Sequence, residues 1–97
     1  MLPYTASSRA KILIAAPLNV RPNGDGQYQY DFSRRSTETG DQLRREYRLL
    51  AQQLGCEFFD VNDHVQACAA DGVHLDAESH RILGEALAKA VRDILNG

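Results

Sequence analysis

The first sustained pattern along the chain is Lys11-Ile12-Leu13-Ile14-Ala15-Ala16, a near-continuous apolar run closed by Pro17. Such a run marks a strand covered on both faces in a parallel sheet, because a half-exposed antiparallel strand would alternate. From Leu18 to Ser33 the pattern turns polar and aromatic, with Pro22, Asn23-Gly24, Asp25-Gly26, Tyr28, Tyr30 and Phe32, and it continues neither strand nor helix. The expectation is a lid-like excursion over residues 18–33 at the carboxyl edge of the sheet. In an antiparallel flap the alternation of Tyr28, Tyr30 and Phe32 would put all three rings on one side, to roof a pocket or pack against a neighbour.

A helix is predicted to start at Ser36 or Thr37, either of which can accept from an orphan N–H. Its apolar face shows at Leu43, Tyr47, Leu50 and Leu54 before Gly55 ends it. Cys56-Glu57-Phe58-Phe59-Asp60-Val61, bounded by Gly55 and Asn62-Asp63, predicts a second strand, parallel to the first across the helical crossover. Residues 63–70 are expected to form a short helical turn. Asp76 then caps a last helix whose paired apolar positions Ile82/Leu83, Ala86/Leu87, Ala90/Val91 and Ile94/Leu95 recur every four residues. Two strands cannot cover two such helices, and parallel strands with unpaired edges are normally protected. The fold class expected is therefore α/β with two parallel strands and two major helices, completed by something else.

Composition narrows the function classes. At 97 residues the chain is one domain at most, and a domain of that size buries roughly 60–65% of the surface its unfolded chain exposes. Apolar residues at 43% and charged residues at 25% exclude disorder as the default. A net charge of -2, with no basic cluster denser than Arg34-Arg35 or Arg44-Arg45, argues against nucleic acid as a partner. No apolar stretch approaches a membrane span, and residues 1–10 lack the order of a signal peptide, so a cytoplasmic location is expected. Cys56 and Cys68 stand in no C-x-x-C pair and read as free thiols.

The candidate chemistry is Asp71-Gly72-Val73-His74 immediately before the last helix. A general base needs an imidazole in a fixed tautomer, and a carboxylate accepting from Nδ1–H leaves Nε2 to take a proton from a hydroxyl nucleophile. Positions i and i+3 in a loop can bring carboxylate and ring together, and Gly72 permits the tight bend. The bland alternative is a turn-forming Asp71 beside a surface His74.

Order along the chain tilts that balance. Lys11-Ile12-Leu13-Ile14-Ala15-Ala16-Pro17, the excursion, a helix, Phe58-Phe59-Asp60, Asp71-Gly72-Val73-His74-Leu75 and a terminal helix together resemble the C-terminal part of the SGNH (GDSL) hydrolases, nearest their arylesterase and acyltransferase branch. The resemblance runs from about Lys11 to Leu95. It implies the C-terminal half of a flavodoxin-like three-layer sandwich, residues 1–97 forming a partial domain, with His74 as catalytic base and Asp71 orienting it. It also implies a serine esterase acting on small esters without cofactor or metal.

The family's other blocks are missing. Its nucleophile lies in a Gly-Asp-Ser motif and its oxyanion hole uses a glycine and a Gly-x-Asn-Asp motif, whereas here Gly24-Asp25 is followed by Gly26, and Asn19-Val20, Asn23-Gly24 and Asn62-Asp63 do not match. Ser7, Ser8, Ser33, Ser36 and Ser79 read as cap, turn or solvated residues. His64 and His80, despite the acidic residues near them, show no metal-ligand spacing. The expected partner is an N-terminal half carrying the serine. The rival expectation is an inactive remnant that associates with another copy of itself as an interaction module.

Overall fold

The computed structural model describes residues 11–97, so Ser7 and Ser8 lie outside the described residues. Two short parallel strands, β1 (Leu13–Ala16) and β2 (Glu57–Asp60), pair in the register Leu13↔Glu57, Ile14↔Phe58, Ala15↔Phe59 and Ala16↔Asp60. Between them runs helix α1 (Arg34–Leu54), which packs on both strands. A 3-10 turn at Val61–Asp63 follows β2, and helix α2 (Ala77–Asn96) closes the chain against β2. The α/β class and the order of elements are those expected from the apolar pattern. Each strand is trimmed by a residue or two.

Helix α1 starts three residues before the predicted cap. Ser33 is the N-cap: its backbone is extended, its N–H donates to Ser36 Oγ at 3.1 Å, and its carbonyl accepts from Ser36 N–H at 2.9 Å. Thr37 is unavailable for capping because its hydroxyl donates to the Val20 carbonyl at 2.8 Å and meets Tyr28 Oη at 2.8 Å. At the other end Gly55, with φ +67°, closes the helix as predicted. Gly55 N–H donates to the Gln52 carbonyl and Cys56 N–H to the Ala51 carbonyl, the paired bonds of a Schellman ending. The predicted helical turn over 63–70 is not formed. Asp60 accepts from Asn62 N–H and tightens the chain into the 3-10 turn, after which Val65 and Ala67 alternate inward from an irregular segment.

The interior is small. Ala16, Ala51, Phe59, Val65 and Ala67 are its buried apolar residues, and no large side chain among the described residues is wholly buried. On α1 the predicted face is only partly used, since Leu43 and Tyr47 are half-buried while Leu50 and Leu54 are exposed. On α2 nothing is buried, and Ile82, Leu87, Val91 and Leu95 face solvent. The molecule is correspondingly flat, 49 × 27 × 16 Å, with a radius of gyration of 15.8 Å, against about 13 Å for a compact domain of 100 residues. Among the described residues no helix is long and apolar enough to cross a membrane.

One glycine inside α1 fixes how the end of β1 meets the helix. Asn19 lies so close over Gly40 that a Cβ there would run into its side-chain amide. That amide donates to the Thr37 carbonyl at 3.0 Å and to Asp41 Oδ1 at 3.1 Å. Gly40→Ala gains about 1 kcal/mol of helix propensity but displaces two hydrogen bonds, one of them to a charged acceptor and together worth about 2–4 kcal/mol. The expected outcome is a net loss of about 1–3 kcal/mol in denaturant unfolding, the opposite sign from an ordinary helix glycine.

Candidate active site

Two segments leave the carboxyl ends of the strands, 17–33 after β1 and 61–76 after β2, and they are bonded to each other. Arg21 N–H donates to the Gly72 carbonyl at 2.9 Å, and Gly24 N–H to the Ala69 carbonyl at 2.7 Å. The Arg21 guanidinium adds Nε to the Ala67 carbonyl at 2.9 Å and Nη1 to Gln66 Oε1 at 2.5 Å. The excursion therefore buttresses the loop that carries Asp71 and His74. It forms no antiparallel flap, and its rings diverge: Tyr28 turns to Thr37, whereas Tyr30 and Phe32 form an edge-to-face pair at 6.4 Å.

Within that loop Asp71 organises everything around it. Its Oδ1 accepts from Val73 N–H at 2.8 Å and from His74 N–H at 3.0 Å, with Cys68 Sγ at 3.4 Å. Its Oδ2 lies 2.5 Å from His74 Nδ1. Gly72 makes this possible. It adopts φ +72°, and a Cβ on it would strike the Arg21 carbonyl oxygen. Cys68 closes the loop from below, its N–H donating to the His74 carbonyl at 2.7 Å and its carbonyl accepting from Gly72 N–H at 2.8 Å.

The carboxylate is held ionised. The His74 ring bond first, then the His74 and Val73 amides, bring the Asp71 carboxyl far below the ordinary carboxylate range. Because the folded value is depressed, the stabilisation it gives the loop is complete above the unfolded value of about 4 and disappears only as pH falls through the lower folded value. A carbon-detected titration of the Asp71 carboxyl is therefore expected to show no midpoint between pH 5 and pH 3.

His74 Nε2 has no hydrogen-bond partner among the described residues, and the His74 side chain is 67% exposed. None of the described serines is bonded to it. Ser33 and Ser36 are spent on the α1 start, and Ser79 N–H donates to the α2 cap, Asp76, at 2.8 Å. His64 stacks flat on Phe59 at 4.8 Å and His80 is exposed. No group of three metal-capable side chains occurs among the described residues. A cavity of about 510 Å³ lies between the end of β1 and α1, lined in part by Leu18, Val20, Phe32, Thr39 and Leu43, and does not reach His74.

A second polar cluster steadies the strand ends. Asp60 is buried and accepts from Arg44 Nε at 2.8 Å and from both nitrogens of Asn62 at 2.9 and 2.8 Å. Burial pushes its carboxyl up, but the bonds from Asn62 and Arg44 prevail and hold it below the ordinary value. Asn62 in turn donates to the Pro17 carbonyl at 2.8 Å and accepts from Asn19 N–H at 2.8 Å, tying the exits of β1 and β2 together. In the sequence Asp60 stands out only as the end of the Phe58-Phe59-Asp60 pattern. Arg44, 16 residues away on a helix face that reads as solvated, carried no sign of this pairing.

Comparison with solved structures points the same way. The chain superposes on a protein from Agrobacterium tumefaciens str. C58 assigned as an arylesterase with a TM-score of 0.73 and 39% identity, over 87% of this chain and 39% of that one. A carbohydrate acetylesterase from Sinorhizobium meliloti matches with TM-score 0.69 and 30% identity, over 87% and 39%. The aryl esterase of M. smegmatis matches with TM-score 0.70 and 28% identity, over 86% and 38%. No family model and no curated protein matches the chain. By fold and sequence the chain is similar to the C-terminal part of SGNH-type esterases and shares their α/β architecture. It spans about 40% of the length of the esterases it matches.

Proposed function

We propose that the chain supplies the base and orienting acid of an SGNH-type carboxylic ester hydrolase whose serine nucleophile comes from outside the chain. The observation that carries this reading is the Asp71 carboxylate, fixed by two loop amides through one oxygen and bonded to His74 Nδ1 at 2.5 Å through the other. In that role Asp71 holds the tautomer that leaves Nε2 basic. His74 takes the proton of the incoming serine as it attacks an ester carbonyl, then protonates the leaving alcohol. In the second half it activates water to release the acyl group, or another alcohol where acyl transfer competes.

The uncovered sheet and helix faces support the need for a partner. Exposed Ile82, Leu87, Val91 and Leu95 on α2 and the unpaired outer strand edges would be covered by the remaining part of the sandwich. Free Cys56 and Cys68 suit a reducing cytoplasm. The test is complementation: the chain is mixed or co-expressed with the N-terminal part of an esterase it resembles, and nitrophenyl acetate turnover is measured. Turnover above that of either part alone supports the proposal. If no N-terminal part gives turnover and the chain forms a stable oligomer alone, the same faces serve self-association and the interaction module is the better reading.

A further inference from the structure

We propose that Tyr30 is a positioning residue for His74, setting the plane of the imidazole so that Nε2 points where a hydroxyl proton is to be collected. This rests on His74 acting as the base. The need is visible in the site: a ring 67% exposed is tethered by one polar bond, at Nδ1, and a histidine's terminal torsion is broad. A second contact is required to fix it. The Tyr30 ring provides one, standing edge-to-face with His74 at 6.3 Å and 83°.

The backbone is arranged for that contact. Tyr30 adopts φ +56°, the one non-glycine residue with positive φ among those described, in a region that glycine or asparagine would occupy with less strain. Burial does not explain a tyrosine there, since Tyr30 is 69% exposed. Its surroundings are fixed on both sides: Tyr28 is bonded to Thr37 on α1, and Gly24 and Arg21 are bonded to the dyad loop. Phe32, whose N–H donates to the Gln29 carbonyl, braces Tyr30 from the side with its own perpendicular ring contact. The Tyr30 hydroxyl has no hydrogen-bond partner among the described residues, so the ring and not the phenol does the positioning.

The test begins on the 97-residue chain, where no serine is needed. In proton NMR the His74 ring signals are expected to carry a ring-current displacement. Tyr30→Ala removes it, moving the signals to those of a solvent-exposed histidine, while Tyr30→Phe leaves them in place. The backbone amide spectrum identifies a variant that has lost the fold, in which case Tyr30→Phe and the inter-ring nuclear Overhauser contact in the unmodified chain decide alone. Ring signals unmoved by Tyr30→Ala, or absence of that contact, overturn the proposal. In a complemented enzyme, Tyr30→Ala is expected to lower kcat about threefold to tenfold with KM unchanged, and Tyr30→Phe to restore it. A rise in KM with kcat unchanged contradicts the positioning role. Failure of every N-terminal part to give turnover counts against the proposed function, and the NMR comparison still decides the role of Tyr30.

Discussion

In a site completed by an N-terminal part that brings the serine, His74→Ala will lower turnover by about a hundredfold to ten-thousandfold, because the step that loses its general base is the attack itself. The loss should fall on kcat, with the assembled complex unchanged. His74 Nε2 has no hydrogen-bond partner among the described residues, and Asp71, which loses the ring at Oδ2, keeps its two loop amides at Oδ1. Asp71→Asn is expected to act on the same step by a different route. An amide oxygen can still accept from one of the loop N–H groups, but the group no longer offers an anion to stabilise the imidazolium. Single-turnover kinetics on both variants and on their combination should be strongly non-additive, since the two residues act as one unit.

Gly72→Ala should have the largest effect of any substitution that touches no reacting atom. The position combines φ +72° with a carbonyl oxygen of Arg21 where a Cβ would sit. Left-handed backbone costs a residue with a Cβ about 1–2 kcal/mol, and the clash adds an overpacking term of about 1–3 kcal/mol. The sum, about 2–5 kcal/mol, appears as a lower denaturant midpoint if the loop stays docked. If the loop relieves the clash by moving, it breaks the Arg21–Gly72 bond and releases Asp71 from His74. The carboxyl of Asp71 would then titrate in the ordinary carboxylate range, and turnover in a complemented enzyme would fall with it. Asn at the same position tolerates the backbone conformation but not the space, and should rescue little.

The elements were legible because each rests on a local rule. The doubly apolar run over Leu13–Ala16, the left-handed Gly55 and the cap at Asp76 declare their strand, helix end and helix start without tertiary help. The start of α1 was misjudged by three residues because Ser33, Ser36 and Thr37 are equivalent as letters. What separates them is that the Thr37 hydroxyl is bound to Val20, a contact 17 residues away in the chain. The alternation of Tyr28, Tyr30 and Phe32 would put three rings on one side only in an antiparallel flap; the chain forms none, turns left-handed at Tyr30, and keeps Tyr30 with Phe32 while Tyr28 goes to Thr37.

The spacing of Asp71 and His74 was readable for a similar reason: a three-residue separation around a glycine is a local geometry. What the spacing could not disclose is the support beneath it. Arg21 reaches the loop from 46 residues away, and Arg44 pairs with Asp60 from the polar side of a helix. Both are long-range choices among several arginines of similar surroundings. The helix faces were recognised as broad, yet their exposure in the folded chain follows from how few strands stand beneath them, which no helix period reveals.

The most direct test of the central claim is fluorophosphonate labelling of the 97-residue chain, alone and together with an N-terminal esterase part. Half of an active site predicts no labelled serine in the chain alone, and, on complementation, labelling confined to the N-terminal part and lost with His74→Ala. Labelling of Ser7, Ser8, Ser33, Ser36 or Ser79 in the chain by itself would contradict the account, as would complemented labelling that is indifferent to His74.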